Sequence, residues 1–314
     1  MQKDLCQIVP YDPKYDRFLS ELDRKTPQGS YLQLEMVRDQ FLSRARVFED
    51  YRVCVFLDGS GLPVGAGASA IVPMLLNGRY VKAGFGFDVK VLPAYRKLHF
   101  ASRYAAYAVE QHFKPAGCDV YFLTSKKTNR LIMANIIHKL MPLNLWEFVY
   151  LTLPTGLPLR PGLSDGKPQQ LFVDLLNGTQ HLQTFFEVRD GGLGIWHLHR
   201  CYRLRIRYIH PLLRMAILLK RFFDPQSANM IPKEGQEMRM AALFNIREDN
   251  LIHVDKLLPD LAAQGIQYLL VCCRRNDIIY QYLRPSSINT YDYYLMGNQD
   301  FSAQSSITMD VRCL

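Results

Sequence analysis

Two long apolar runs meet at Asn77-Gly78, and no other junction in the chain restricts its folding as tightly. Asn-Gly between β-prone runs marks a two-residue hairpin, because both turn residues need a positive φ. An earlier turn signal, Asp58-Gly59-Ser60-Gly61, precedes the first run. Residues 52–57, 64–76 and 80–91 therefore read as an antiparallel meander. Gly84 and Gly86 inside the third run predict a bulge or a close backbone approach. Pro93 ends that run, and 100–113 (FASRYAAYAVEQHF) then offers Tyr104, Tyr107, Ala108 and Val109 for burial at helical spacing. A meander feeding a helix and a further apolar strand at 119–123 predicts a mixed α/β (α+β) sheet.

Around this unit, 5–9 reads as a strand, 13–24 as a helix, 31–48 as a helix capped by Ser30, 129–140 as a helix and 146–153 as a strand. Seven Pro and Gly residues then crowd 154–169, which reads as a linker. Beyond it the expected elements are a strand at 171–176, a helix at 179–188 and a strand at 195–206. A basic amphipathic helix follows at 211–223, then a strand at 238–246, a helix at 254–264, a strand at 266–272, a helix at 278–283 and a strand at 291–296. Both halves end strand, helix, strand, helix, strand. Two domains, 1–153 and 170–314, joined by 154–169, are expected.

Of the 314 residues 48% are hydrophobic and 21% charged, and the mean hydropathy is -0.09. That balance excludes wholesale disorder, collagen and coiled coil. Seven cysteines with no CxxC spacing argue against a disulfide scaffold or zinc ribbon, and point to a reducing compartment. The first twenty residues show no apolar signal core, and the longest apolar runs fall far below the ~20 residues that span a bilayer. A cytoplasmic protein without a transmembrane segment is expected. The net charge of +9 suits a polyanionic partner, such as a phosphorylated cofactor or an acidic carrier protein, and no nucleic-acid site is expected.

Several stretches offer chemistry. Gly65-Ala66-Gly67-Ala68-Ser69-Ala70 fits a dinucleotide fingerprint, but it continues as strand where a helix is required. His197, His199 and Cys201 alternate and would share one strand face; three ligands without a fourth read as a wet basic face, and no metal is expected. Residues 200–221 hold seven Arg and Lys without an acid, which offers a docking stripe for an acidic carrier protein or a membrane surface. No nucleophile elbow, Walker A loop or HExxH motif occurs. The remaining stretch is Asp88 to Ser102, DVKVLPAYRKLHFAS: a strand ends at Pro93, and a short loop with Arg96 and Lys97 feeds a helix N-terminus. Free amides, the helix dipole and two cations make an anion site.

This stretch resembles the cofactor loop of the GCN5-related N-acetyltransferases, the GNAT superfamily, whose pattern is V-x-P-x-x-[RQ]-x-x-G-x-[GA]. Val91, Pro93, Arg96 and Ala101 match, and His99 stands in place of the first glycine. The order of elements over 1–153 is also similar, while 170–296 resembles a second, degenerate copy. The resemblance implies two GNAT-like domains in tandem. It implies an N-acyltransferase that uses acetyl-CoA or another acyl-CoA, with a small-molecule or peptide amine attacking the thioester directly. Val91, Arg96, Lys97, Leu98, His99, Phe100, Ala101, Ser102 and Asn129 would contact the cofactor, the strand near Val91 holding the pantetheine arm. Asp88, on the same strand, is the candidate base. Where many relatives carry a tyrosine acid this chain has Ile136, with His138 near it. In the second half Arg247-Glu248-Asp249-Asn250 has no glycine and sets two acids where phosphates would sit, so no cofactor is expected there. Two other classes fit the same residues: a non-catalytic binding protein on the GNAT scaffold, and an acyltransferase drawing on a carrier-bound acyl chain.

Overall fold

The meander forms as expected. β1 (Gln7–Pro10), β3 (Asp50–Leu57), β4 (Pro63–Leu76) and β5 (Arg79–Val91) pair antiparallel in that order. Asn77 and Gly78 have φ values of 51° and 76°, the left-handed geometry of the expected turn. The computed structural model describes residues 7–29, 31–129, 145–162, 166–177, 184–226 and 230–314. The expected helix at 129–140, with Ile136 and His138, lies outside the described residues after Asn129.

After β5 the chain makes a 3-10 turn (Pro93–Leu98), then α2 (Phe100–Ala108), extended by a π turn at Val109–Phe113, and returns as β6 (Val120–Lys126) parallel to β5. α1 (Asp16–Lys25) lies earlier in the chain. α2 comes close to the sheet because the strand residues beneath it are small. A Cβ on Gly67 would stand 2.6 Å from the Tyr104 ring, and one on Gly84 would stand 2.3 Å from the Phe113 ring. The Gly65–Ala70 run is strand, as expected, and its Gly67 forms part of the floor for this helix. Phe100 stacks on Phe56 at 5.5 Å. His112, 3.0 Å from the Asp50 carboxylate and 2.9 Å from Ser69 Oγ, ties the π turn to β3 and β4.

The second half adds β8 (Leu171–Asp174), β9 (Phe186–Val188), β10 (Gly194–Trp196), β11 (Arg203–Ile209), β12 (Glu237–Met238), β13 (Met240–Phe244), β14 (Tyr268–Cys273), β15 (Asn289–Gly297) and β16 (Ile307–Asp310). Its helices are α3 (Pro211–Phe223), α4 (His253–Ala263) and α5 (Ile278–Leu283). The β13–α4–β14 unit is parallel, like β5–α2–β6.

The halves do not form separate sheets. One main sheet runs β1-β3-β4-β5-β6-β15-β7-β14-β13-β10-β9, where β7 is Trp146–Pro154. β7 pairs with β14 and β15, whereas β6 pairs with β15. Each half therefore ends in a strand hydrogen-bonded into the other. β16 also pairs with β4, and β11 with β2 (Leu32–Val37) in a separate three-stranded sheet. The expected domains 1–153 and 170–314 thus share one main sheet through this exchange. The fold is a mixed α/β arrangement built on one main sheet.

Three local expectations are corrected. Residues 31–48 are not a helix but β2 and two 3-10 turns, because β11 supplies a partner for the edge of β2. Of the expected helix at 179–188, residues 179–183 lie outside the described residues, and Phe186–Val188 is strand β9 paired with β10. The expected strand at 195–206 is broken at Leu198–Arg200 by a 3-10 turn between β10 and β11, so His197, His199 and Cys201 do not share a strand face.

Candidate functional site

Pairing of β5 with β6 covers only Ala83 to Gly86 against Val120 to Leu123. Both strands continue, β5 to Val91 on its β4 side and β6 to Lys126 on its β15 side. Residues 87–91 and 124–126 thus face a gap with no ladder bonds between them. A bulge widens it. Between the pairs Ala66–Lys90 and Ala68–Phe87, β5 carries one more residue than β4, and Asp88 takes φ 51°.

The expected cofactor residues surround the end of this gap. Leu92 N–H donates to Val64 O at 2.9 Å, which holds the strand end to β4. Pro93 to Leu98 then turn, with Arg96 and Lys97 exposed. His99 is left-handed at φ 55°, ψ 29°, the backbone state for which a glycine would ordinarily be used, and it is the N-cap of α2. The helix ladder opens with Arg103 N–H on His99 O at 3.1 Å, so the first-turn amides of Phe100 and Ala101 precede any intrahelical bond. Asn129 sits one turn beyond β6, its N–H on Lys126 O at 2.9 Å. The structure thus brings Val91, Arg96, Lys97, Leu98, His99, Phe100, Ala101 and Ser102 into one continuous bend, with Asn129 just past the strand beside it.

Asp88, the expected base, lies in a buried ion-pair network. Its carboxylate accepts from Arg38 Nη1 at 2.6 Å and from Arg44 Nη1 at 3.0 Å. Arg38 also donates to Asp23 on α1 at 2.7 Å, and Lys90 pairs with Asp23. All five groups are buried or nearly so. Burial alone would raise the Asp88 carboxyl, but the two guanidinium groups and Lys90 hold it far below the usual carboxylate range. The network acts as a clamp joining α1, the β2 end and the β5 bulge. Arg44 reaches further, donating to Leu314 O at 2.9 Å.

Lys126 was not singled out from the sequence. It ends β6 at the gap, is half-buried with its Nζ 4.6 Å from the Tyr291 ring centre, and makes no ion pair among the described residues. Burial pushes its pKa down. The signal was present in the run Tyr121-Phe122-Leu123-Thr124-Ser125-Lys126, where a cation closes a strand with no acid beside it.

A basic cleft of about 820 Å³ adjoins the loop, lined by Arg24 and Lys25 of α1, Gln33 and Glu35 of β2, Pro93, Arg96 and Arg207 of β11. It draws on both halves. The 200–221 stripe is less bare than the sequence suggested. Arg203 and Arg205 pair with Glu237 and Arg214 with Glu234, acids that β12 and the loop before it bring back from outside the stretch. Trp196 is fully buried, whereas Phe222 and Phe223 are exposed. Burial pushes the thiols of Cys54 and Cys118 up to about 11 and that of Cys201 up to about 12, so none of the three is a thiolate nucleophile. No group of three or more metal-ligating side chains occurs among the described residues.

No protein-family model matches the sequence, and no curated protein is significantly similar to it. Solved structures are similar in fold. Two structures of Saccharomyces cerevisiae N-myristoyltransferase with bound myristoyl-CoA align over 96% of this chain, at TM-scores of 0.52 and 0.50 and identities of 7% and 8%. The alignments cover 85% and 89% of those chains. A GCN5-related N-acetyltransferase from Sphaerobacter thermophilus aligns over 98% of both chains at TM-score 0.46 and 10% identity. The likeness to N-myristoyltransferase spans both lobes and establishes the fold.

Proposed function

We propose that the chain is an acyl-CoA-dependent N-acyltransferase with one cofactor site, at the gap between β5 and β6. The carrying observation is the coincidence at one place of strands that stop pairing, a left-handed residue at the loop's end, first-turn helix amides and two exposed cations. A pyrophosphate would sit on the amides of α2 beside Arg96 and Lys97. The pantetheine arm would lie along 87–91, whose unpaired backbone groups supply hydrogen bonds and a donor to the developing oxyanion. That the N-myristoyltransferase of the same fold was solved with myristoyl-CoA supports an acyl-CoA as the donor.

In the reaction the acceptor's neutral amine attacks the thioester carbonyl. The C–N bond forms, the C–S bond breaks, and CoA leaves as its thiol. The amine's proton needs an acceptor. Lys126, at the gap and depressed by burial, is the group that suits this role, in place of Asp88. The acceptor would enter by the basic cleft between Arg24, Arg96 and Arg207.

The second half is read as a degenerate copy. Segment 169–174 lies across the ends of β13 and β14: Asn245 N–H donates to Val173 O at 2.7 Å, and Gln169 Nε2 to Ile246 O at 3.2 Å. On this reading the segment would fill the place that corresponds to the cofactor's in the first half.

Thiol release from acetyl-CoA and from myristoyl-CoA, measured with a mixture of peptide and small-molecule amines, tests the reading. Acceptor-dependent release supports it. Tight binding of CoA without release under any acceptor favours the non-catalytic scaffold, which the side chain at His99 would suit. In an active preparation, Lys126→Met should lower kcat by about 100-fold or more with CoA affinity unchanged.

A further inference from the structure

Among the described residues, α3 carries the largest run of exposed apolar side chains on one element. Leu212, Met215, Leu218, Leu219, Phe222 and Phe223 are all more than half exposed, the two phenylalanines at 84% and 87%. At ~100° per residue they span an arc of roughly 140°, while Leu213 and Ile217, which pack on the core, lie on the opposite side. The helix is therefore held to the body by one apolar edge and turns a second, wider one directly outward. Single exposed hydrophobes need no explanation, but a contiguous ridge does.

Charge flanks the ridge. Arg214 and Arg221 fall along one side of the helix and Lys220 along the other. Of the acids near them, Glu234 pairs with Arg214, and Asp224 at the helix end is engaged in an interaction of its own. At the other end of the helix, Tyr31 and Tyr208, 62% and 37% exposed, group around His210, with ring centres 5.0 and 6.5 Å from it. His210 N–H donates to Tyr31 O at 2.7 Å, so this aromatic cluster is fixed to the helix start.

We infer that α3 is a membrane-interface helix that lies flat on an anionic bilayer surface. The features fit that occupant in particular. The exposed ridge is convex, with Phe222 and Phe223 at its tip, and a bilayer yields to such a shape without a preformed groove. Tyrosines at one end suit the level of the headgroups, where one side of the ring is apolar and the other wet. Cations on both flanks complement anionic lipid, and the whole chain's charge of +9 has the same sign. Thirteen residues span only ~20 Å, so the helix lies on the membrane and does not cross it.

The test is flotation of the full chain with vesicles of phosphatidylcholine alone, or of phosphatidylcholine with one third phosphatidylserine. The native chain should float with the anionic vesicles and much less with the neutral ones. Phe222→Ser with Phe223→Ser, and separately Lys220→Glu with Arg221→Glu, should each weaken partitioning by about tenfold or more. Because these side chains are at the surface, circular-dichroism melts of both variants should match the native chain. Failure to float, equal flotation with both lipids, or an unchanged Phe222→Ser, Phe223→Ser variant would overturn the inference. So would light scattering that shows a vesicle-free dimer which this variant dissociates, since the ridge would then serve a second copy. Loss of binding to an acidic carrier protein in the same variant, without flotation of the native chain, would assign the ridge to that partner instead.

Discussion

His99 turns left-handed at the point where the chain passes from the Pro93–Leu98 turn to α2, and that backbone costs a residue with a Cβ about 1–2 kcal/mol. Glycine removes the cost and clears space beside the α2 amides, whereas a β-branched residue raises it. His99→Gly should therefore keep the fold and bind CoA more tightly, and His99→Val should lose both stability and affinity; equal calorimetric affinities in the two variants would contradict the loop's role. Asp88 lends itself to a different measurement. Its folded-state carboxyl is depressed, so its stabilisation is complete above about pH 4 and is lost as acid protonates it. Asp88→Asn strands Arg38 and Arg44 in the interior and should cost about 3–5 kcal/mol in denaturant unfolding at neutral pH. The same variant should flatten the acid limb of the stability curve. A fully stable Asp88→Asn protein with reduced turnover would return Asp88 to catalysis. The loop was legible in the sequence because its chemistry is local: Pro93, Arg96, Lys97 and a helix start lie within a few residues. The clamp was not, since Asp88 is separated from Arg38 by 50 positions and from Arg44 by 44. An acid and a lysine in an otherwise apolar strand announce that partners exist, not which they are.

Helices and strands with a strong period were legible nearly to the residue. α3 and α5 begin and end where their apolar spacing does, and the Asn77-Gly78 hairpin closes as its turn residues require. The stretch at 31–48 shows the opposite. Leu32, Leu34 and Met36 alternate with Gln33 and Glu35, a period of two inside a stretch that also satisfies helical spacing. Pairing with β11 decided between the two, and that partner lies far away in the sequence. The small residues of β4 supply a test at this scale. α2 is set beside the gap between β5 and β6, the proposed cofactor site, because Tyr104 rests on Gly67 and Phe113 on Gly84. Gly67→Val would push Tyr104 and the helix off the sheet. It should lower the melting temperature and weaken CoA binding together, while the exposed control Arg79→Ala should change neither. A loss of stability with affinity intact would show that the helix position does not set the site.

At the scale of the whole molecule, the exchange of β7 and β15 makes one sheet out of two lobes. A β-period reveals that a strand has two faces, but not which strand lies beside it, so the exchange left no mark in the sequence. A fragment of residues 1–153 would carry β7 without either of its neighbours and β6 without β15, and it should be unfolded or aggregated, as read by circular dichroism and light scattering. A soluble, cooperatively melting fragment would contradict the interlocked sheet. The central claim is that one acyl-CoA binds at the gap between β5 and β6, and calorimetric titration of the full chain with acetyl-CoA and with myristoyl-CoA tests it most directly. One molecule should bind per chain. Arg96→Ala with Lys97→Ala should weaken that binding roughly 30-fold to 1000-fold, through loss of charge-assisted contacts, and Glu248→Ala with Asp249→Ala should leave it unchanged. Absence of binding by either thioester, two molecules per chain, or an affinity indifferent to Arg96 and Lys97 would contradict the site.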